Sequence, residues 1–600
     1  MRRLSGNPKS GLTLLETLIG VAIIAIVAFS VYRSLTVLIE IFAGNKVRIA
    51  ATDLANAEME IIRNIAYQNI GTIGGIPGGF IPPTQTKTKS GFNFLVTATI
   101  RNIDDPFDGT LGGNPNDLSP ADYKLVELAL TCASCPGAPN FIFTGRAAPK
   151  NLETASVNGA LFIQAIDASG NPVSGATVQI SNSTLNPPVN ITDVTGIDGF
   201  LRVVDVPPAA QTYRVSVLKS GYSSESTYAS TPQNPNPVKP DLTVVLQTVT
   251  QATFAIDKVS ALNVLSVKDN CSAVPNIGFD LSGFKLIGTN PDILKFSQSY
   301  STGGSGAFTV PNLEWDNYNL AALDAAYDIA GTIPYSPINI LPNSAQDFRI
   351  VMQAKNPLSL LITVKDAATQ LPLASTTVAI SAGSFNKTLV TGRGFLTQTD
   401  WSGGPGQPEF LNPSQYFDQD GNIETGLPAG ELKLTQVATS TYAVSGWLTS
   451  SSFDTGSPSN FYAIAWQPIS QPPATGAESV KFQIATATTT NPANWNYLGP
   501  DGTASTFYTA SSQNINAVHA SDRYLRYRAY LGSASTTFTP GVADVSLTFA
   551  SECTPPGQVF FTGLAANTYN ITISRSGYAT VNDTVSVSQS WQEKIYLLSP

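Results

Sequence analysis

Few residues in this chain have the types and spacing that chemistry needs. Asp454-Thr-Gly-Ser457 has the form of an aspartic-protease carboxylate turn. That reaction needs two carboxylates sharing one proton, and no second Asp-Thr-Gly or Asp-Ser-Gly occurs, so a turn after a strand is expected. His519 is the one histidine, which leaves Ser-His-Asp and Cys-His relays little footing. Cys132 and Cys135 are spaced C-x-x-C. Zinc would need a second pair or nearby histidines, so either a local disulfide or two thiols fits them. Cys271 and Cys553 could pair only if separate modules touch. Asp418, Asp420, Asn422 and Glu424 place oxygens at alternate positions, as a calcium loop might, but without the full EF-hand pattern. An Asx-type turn is favoured there. Arg523-Tyr-Leu-Arg-Tyr-Arg-Ala-Tyr530 mixes guanidiniums with rings, and Trp466 and Trp495 lie nearby in sequence. Arg526, Arg528, Trp466 and Trp495 could form a glycan or protein surface. A strand with one core face and one solvated face would look the same. No catalytic set, cofactor motif or phosphate loop emerges, and an enzyme is not expected.

The elements that position these residues begin with an anchor. Residues 17–32 are uncharged, and Arg33 alone interrupts the apolar run before Glu40. About 20 such residues span a bilayer. Arg2, Arg3 and Lys9 precede the run, and basic residues favour the cytoplasmic side. A single pass with the N-terminus inside the cytoplasmic membrane follows, and all later residues are expected outside it, where disulfides persist. A small residue, Gly11, stands before the apolar run, whereas a secretory signal has its small-residue cleavage site after it. A cut at Gly11 would keep the apolar segment. Glu16 sits inside that segment, where a carboxylate costs roughly 2.5–3.5 kcal/mol on insertion scales and calls for a partner.

Only 12% of the 600 residues are charged, and the net charge is -9, or -12 without Arg2, Arg3 and Lys9. Nucleic acid wants basic patches, so none is expected as a partner. Abundant glycine and proline with short alternating runs suit extracytoplasmic all-β modules.

Gly11-Leu-Thr-Leu-Leu-Glu16, with its basic leader and apolar run, resembles the prepilin signal of type IV pilins and type II secretion pseudopilins. The resemblance implies that a prepilin peptidase cuts between Gly11 and Leu12 and methylates Leu12. It also implies that Glu16, the fifth mature residue, meets a neighbouring subunit's N-terminal amine during assembly, so that the helix serves first in the membrane and then in a filament. Leucine stands where the family prefers phenylalanine. No proline occurs from Leu12 to Tyr67, whereas many major pilins bend their helix at one. With the chain's size, this points to a minor pilin or pseudopilin. The spacing predicts one helix over 12–67, its second half burying Leu54, Ala57, Ile61 and Ile65. A small α+β head like that of pilins is expected over 68–150, with strands at Phe92–Arg101 and Tyr123–Thr131. The loop between them carries Asp104, Asp105, Asp108 and Asp117, for which turn chemistry is favoured over calcium.

An internal repeat follows. Tyr213, Gly221 and Tyr222 match Tyr569, Gly577 and Tyr578 at one constant offset, within alternating apolar runs. Phe162–Ile180 and Leu360–Ile380 share a strand–turn–strand opening, and Asp198-Gly-Phe200 forms a turn signal. These segments resemble the carboxypeptidase regulatory-like domain, a transthyretin-like β-sandwich. The expected organisation is a leader (1–11), the helix, the head, a first sandwich (153–248) and a second, weaker copy (249–355). A third copy is split between 356–390 and 552–600, around an inserted sandwich or jelly roll (391–551). The fold class is therefore a long N-terminal helix with a small α+β head and several all-β sandwich modules. The expected function is a filament subunit whose modules present the insert for adhesion or binding of an unknown surface ligand. The alternatives are a secretion pseudopilin engaging exported cargo and, less favoured, a membrane-anchored enzyme.

Overall fold

The structure, a computed structural model, describes residues 14–135, 139–150 and 155–600. It divides into two compact units, one of residues 1–258 with 286–293, the other of 259–285 with 294–600. Each is described by itself. The fold class read from the sequence is the one observed: one long helix, then many β-modules.

The helix runs Leu14–Arg63, about 75 Å at 1.5 Å per residue. From Val47 onward it packs on a four-stranded antiparallel sheet ordered Thr84–Lys89, Phe92–Ile103, Tyr123–Thr131, Asn140–Ala147. The buried stripe is Val47, Ala50, Ala51, Leu54, Ala55, Glu58 and Ile62. This corrects the expected stripe: Leu54 is buried, but Ala57 and Ile61 are exposed. Two apolar stripes lie one residue apart on this helix, and the one with three alanines lets the sheet approach. Glu58 is held beneath the sheet by Lys87 Nζ at 2.6 Å. Cys132 and Cys135 are joined and buried at the end of the same core.

The three sandwiches share one plan. In the first, Gly159–Ile166 pairs antiparallel with Phe200–Val206 and parallel with Val249–Ala255. In the second, Ser260–Val267 does so with Ala307–Leu313 and Ala345–Ala354. In the third, Ser359–Asp366 pairs with Gln558–Phe561 and Trp591–Leu598. Each copy buries one tyrosine whose hydroxyl donates to a preceding carbonyl: Tyr213 to Pro207, Tyr318 to Glu314, Tyr569 to Ala565. Each also buries a threonine whose hydroxyl accepts the N–H that opens the second strand. These are Thr195 from Ala176, Thr302 from Ile277 and Thr391 from Thr376.

The last motif locates the insertion. After Thr195 and Thr302 the chain turns in three residues, Gly199 N–H donating to Gly196 O and Gly306 N–H to Gly303 O. Gly199 (φ 78°) and Gly306 (φ 73°) are left-handed, and a Cβ there would lie 2.7–2.9 Å from a carbonyl oxygen of the opening strand. In the third copy that glycine is Gly557 (φ 68°), with the Val364 oxygen 2.8 Å from its Cβ position. Between Gly392 and Gly557 the turn is replaced by a whole module, and Gly392 N–H still bonds the Gln558 oxygen at 3.2 Å. The module's first strand, Gly394–Gln398, pairs antiparallel with its last, Asp544–Ala550, so its two ends lie side by side. Insertions succeed at such sites.

Cys553, just past that last strand, is bonded to Cys271 of the second sandwich, closing a loop of 282 residues. A loop of that length removes about 5 kcal/mol of unfolded-chain entropy in the chain-entropy account. Beside it Ser551 Oγ donates to the Asp269 carbonyl at 3.1 Å.

Replacing residues 393–556 by a two-residue turn, with Cys271→Ser to avoid a lone thiol, should leave a folded chain. Circular dichroism should show retained strand content and cooperative melting. A chain that aggregates or melts without cooperativity would contradict the placement of the insertion in a hairpin turn.

Candidate recognition face of the inserted module

Asp522–Gly532 is the central strand of the insert, pairing with Ser445–Thr449, Phe453–Gln467 and Val480–Ala487. Its side chains alternate as a pleated strand requires. Leu525, Tyr527, Ala529 and Leu531 enter the core, where the Tyr527 hydroxyl accepts from Trp401 Nε1 at 2.9 Å and donates to Gln398 at 2.7 Å. Arg526, Arg528 and Tyr530 take the opposite face.

On that face each guanidinium lies over two rings. Arg526 Cζ is 4.0 Å from the Phe417 centroid and 4.7 Å from that of Trp495. Arg528 Cζ is 4.0 Å from Tyr497 and 4.7 Å from Trp447. Arg526 is 3% exposed, donates to the Pro408 carbonyl at 2.7 Å, and leaves its Nε without an acceptor. Burial lowers its pKa, with only Tyr497 opposing. Arg528 Nε donates to Thr449 Oγ1 at 2.9 Å. Among the described residues neither guanidinium has a carboxylate within 4 Å, whereas Arg523, on the same strand, is doubly bonded to Asp454.

Thus Trp495, Arg526 and Arg528 come together, with Phe417, Trp447 and Tyr497, which the sequence reading did not single out. For Trp447 the signal was alternation, since it lies opposite Tyr530 in register, one strand over; Phe417 and Tyr497 lie outside strands. Trp466 is a correction. It is 3% exposed and packs on Phe482 at 4.8 Å in the core, because its strand neighbours place it on the inner face. Arg526 is likewise covered rather than displayed.

The quartet Asp418, Asp420, Asn422 and Glu424 makes the turn bonds favoured from the sequence. Asp418 bonds the Gln419 N–H, Asp420 the Asn422 N–H and Glu424 the Gly426 N–H, so each carboxylate serves its own turn. Among the described residues the one cluster of metal-ligating types within reach of one another is Cys271, Glu552 and Cys553, whose sulfurs form the disulfide. In the head, Asp104 accepts from Leu111 N–H and Asp117 from Ser119 N–H. Burial raises Asp104 to about 6.

The remaining chemical candidates serve structure. Asp454, besides Arg523, caps the Gly456 N–H at 2.7 Å. His519 is buried, its Nδ1 3.0 Å from the Thr486 hydroxyl, which donates to Asp522. Gly11 and Leu12 lie outside the described residues, and of Glu16 only the helical backbone is described. The helix itself presents eighteen large apolar side chains from Leu14 to Phe42, each 48–82% exposed. It is long and apolar enough to cross a membrane, with mean hydropathy 2.1 over its most apolar window.

No family model matches this chain, and no curated protein does. Solved structures similar to it include the Bacillus anthracis TIE protein (15% identity, TM-score 0.15, covering 52% of this chain and 69% of that one). Others are a Streptococcal ancillary pilin (14%, 0.14, 39% and 84%) and GBS52, a minor pilin of Streptococcus agalactiae (14%, 0.17, 33% and 96%). Likenesses of this size carry no weight for fold or function.

Desolvation lowers His519 to about 4. The unfolded state then binds the extra proton between pH 4 and the ordinary value of 6.5, so stability rises with pH across that window by up to roughly 3 kcal/mol. Asp104 opposes this in the same window, so the test is the difference: in urea melts at pH 4.5 and 7.5, stability should rise with pH by more in the wild type than in His519→Gln, by up to that amount. An equal pH dependence in both would contradict the buried neutral imidazole.

Proposed function

We propose that this chain is a membrane-anchored, non-enzymatic subunit of an extracytoplasmic filament, of the minor pilin or pseudopilin kind, whose insert makes a binding contact. One observation carries the proposal: the large apolar side chains of the helix from Leu14 to Phe42 are exposed, yet the helix continues without a break into the core of the head. Such a helix needs lipid or other helices around its first half, and an assembly that exchanges one for the other supplies both.

In this reading a prepilin peptidase cuts between Gly11 and Leu12, and Glu16 receives a neighbouring subunit's amine. A secretion pseudopilin that engages cargo shares this anchor and differs only in what the modules meet. The enzyme reading loses support, since Asp454 is tied to Arg523 and His519 is enclosed.

Glu16→Ala should leave membrane insertion intact and lower recovery of the subunit in sheared filaments at least tenfold, measured by immunoblot of shed and membrane fractions. Equal recovery would contradict an assembly role for Glu16.

A further inference from the structure

We propose that the ringed guanidiniums of the insert are a binding site for a carboxylate-bearing polysaccharide. The inference rests on the insert being the contact module. Charge, donor geometry and aromatic flanks lead to it.

First, two cations sit two residues apart on one strand face with no counterion. A buried charge is ordinarily paired. Arg526, nearly enclosed, has an Nε with no acceptor, and among the described residues no carboxylate reaches it or Arg528. Asp418 is the acid nearest in register, opposite Thr449; its Oδ1 accepts the Gln419 N–H, and it makes no ion pair with either guanidinium.

Second, each guanidinium lies over two aromatic rings and keeps donors to spare. Arg528 donates through Nε to Thr449, and among the described residues its terminal N–H groups have no acceptor. Such donors are where a planar carboxylate binds in bidentate fashion.

Third, Phe417 is exposed, and Trp447, Trp495 and Tyr497 are partly so. Aromatic flanks beside a cation suit the apolar face of a sugar ring carrying an acid. Two cations on a chain of net charge -9 do not suit the long phosphate run of a nucleic acid.

The geometry assigns the roles residue by residue. Arg528 takes the carboxylate. Trp447 and Tyr497 hold its guanidinium flat and meet the sugar. Arg526, lying over Phe417 and Trp495, adds positive potential from below. Asp418 limits how much negative charge the face tolerates.

The test uses the full chain in detergent micelles, with alginate as the carboxylated polymer and dextran as the neutral one. Dextran sulfate separates carboxylate from sulfate, and double-stranded DNA reports non-specific polyanion binding. Wild type should bind alginate, more weakly as salt rises, and should bind neither dextran nor DNA. Arg528→Gln should weaken alginate binding at least tenfold with an unchanged melting temperature, and Asp418→Asn should strengthen it two- to threefold. No alginate binding, equal binding of dextran or DNA, or undiminished binding by Arg528→Gln would overturn the proposal. Stronger binding of dextran sulfate than of alginate would overturn the carboxylate assignment. Because the measurement is made on isolated subunits, Glu16→Ala should bind alginate as wild type does. A filament defect and a binding defect are thereby told apart.

Discussion

Eighteen large apolar side chains along one exposed stretch of helix impose the condition that the rest of the molecule meets. Full burial of each is worth roughly 1.5–3 kcal/mol, so together they outweigh the 5–15 kcal/mol by which a typical domain is stable. The stretch therefore cannot rest in water. The same helix becomes a domain component only at Val47, where alanines replace leucines and isoleucines on the face that meets the sheet. The exposed apolar stretch and the head are thus joined by one unbroken helix, Leu14–Arg63.

Downstream, economy of plan does what size alone would make difficult. Three sandwiches use the same pairing of first strand to last, the same buried tyrosine and the same threonine at the hairpin. The insert occupies one hairpin turn of the third copy because its own first and last strands are neighbours, so the host sandwich need not open. The Cys271–Cys553 bond then ties the base of the insert to the second sandwich. A disulfide thus adds to the insert's two chain connections.

Much of this was legible from residues. The strand runs of the insert, such as Val480–Ala485 and Val545–Phe549, alternate strongly and lie within observed strands. The repeat was visible through Tyr213 and Tyr569. The hairpin that receives the insert was also written in the sequence, as Thr195-Gly196, Thr302-Gly303 and Thr391-Gly392, but a dipeptide carries little weight until its hydroxyl is seen to accept the same N–H in each copy. Helix phase was misread because Ile61 and Ile62 serve equally well until the sheet chooses. Trp466 and Arg526 show the same limit in strands: residue type says what a side chain can do, while register decides whether it faces core, cover or solvent.

The central claim is that the helix is delivered to a filament after cleavage ahead of its apolar run. N-terminal mass spectrometry of the native protein tests it most directly. The account predicts a chain starting at Leu12 with a methylated amine. A chain starting at Met1, a cut after the apolar run, or an unmethylated Leu12 would contradict it.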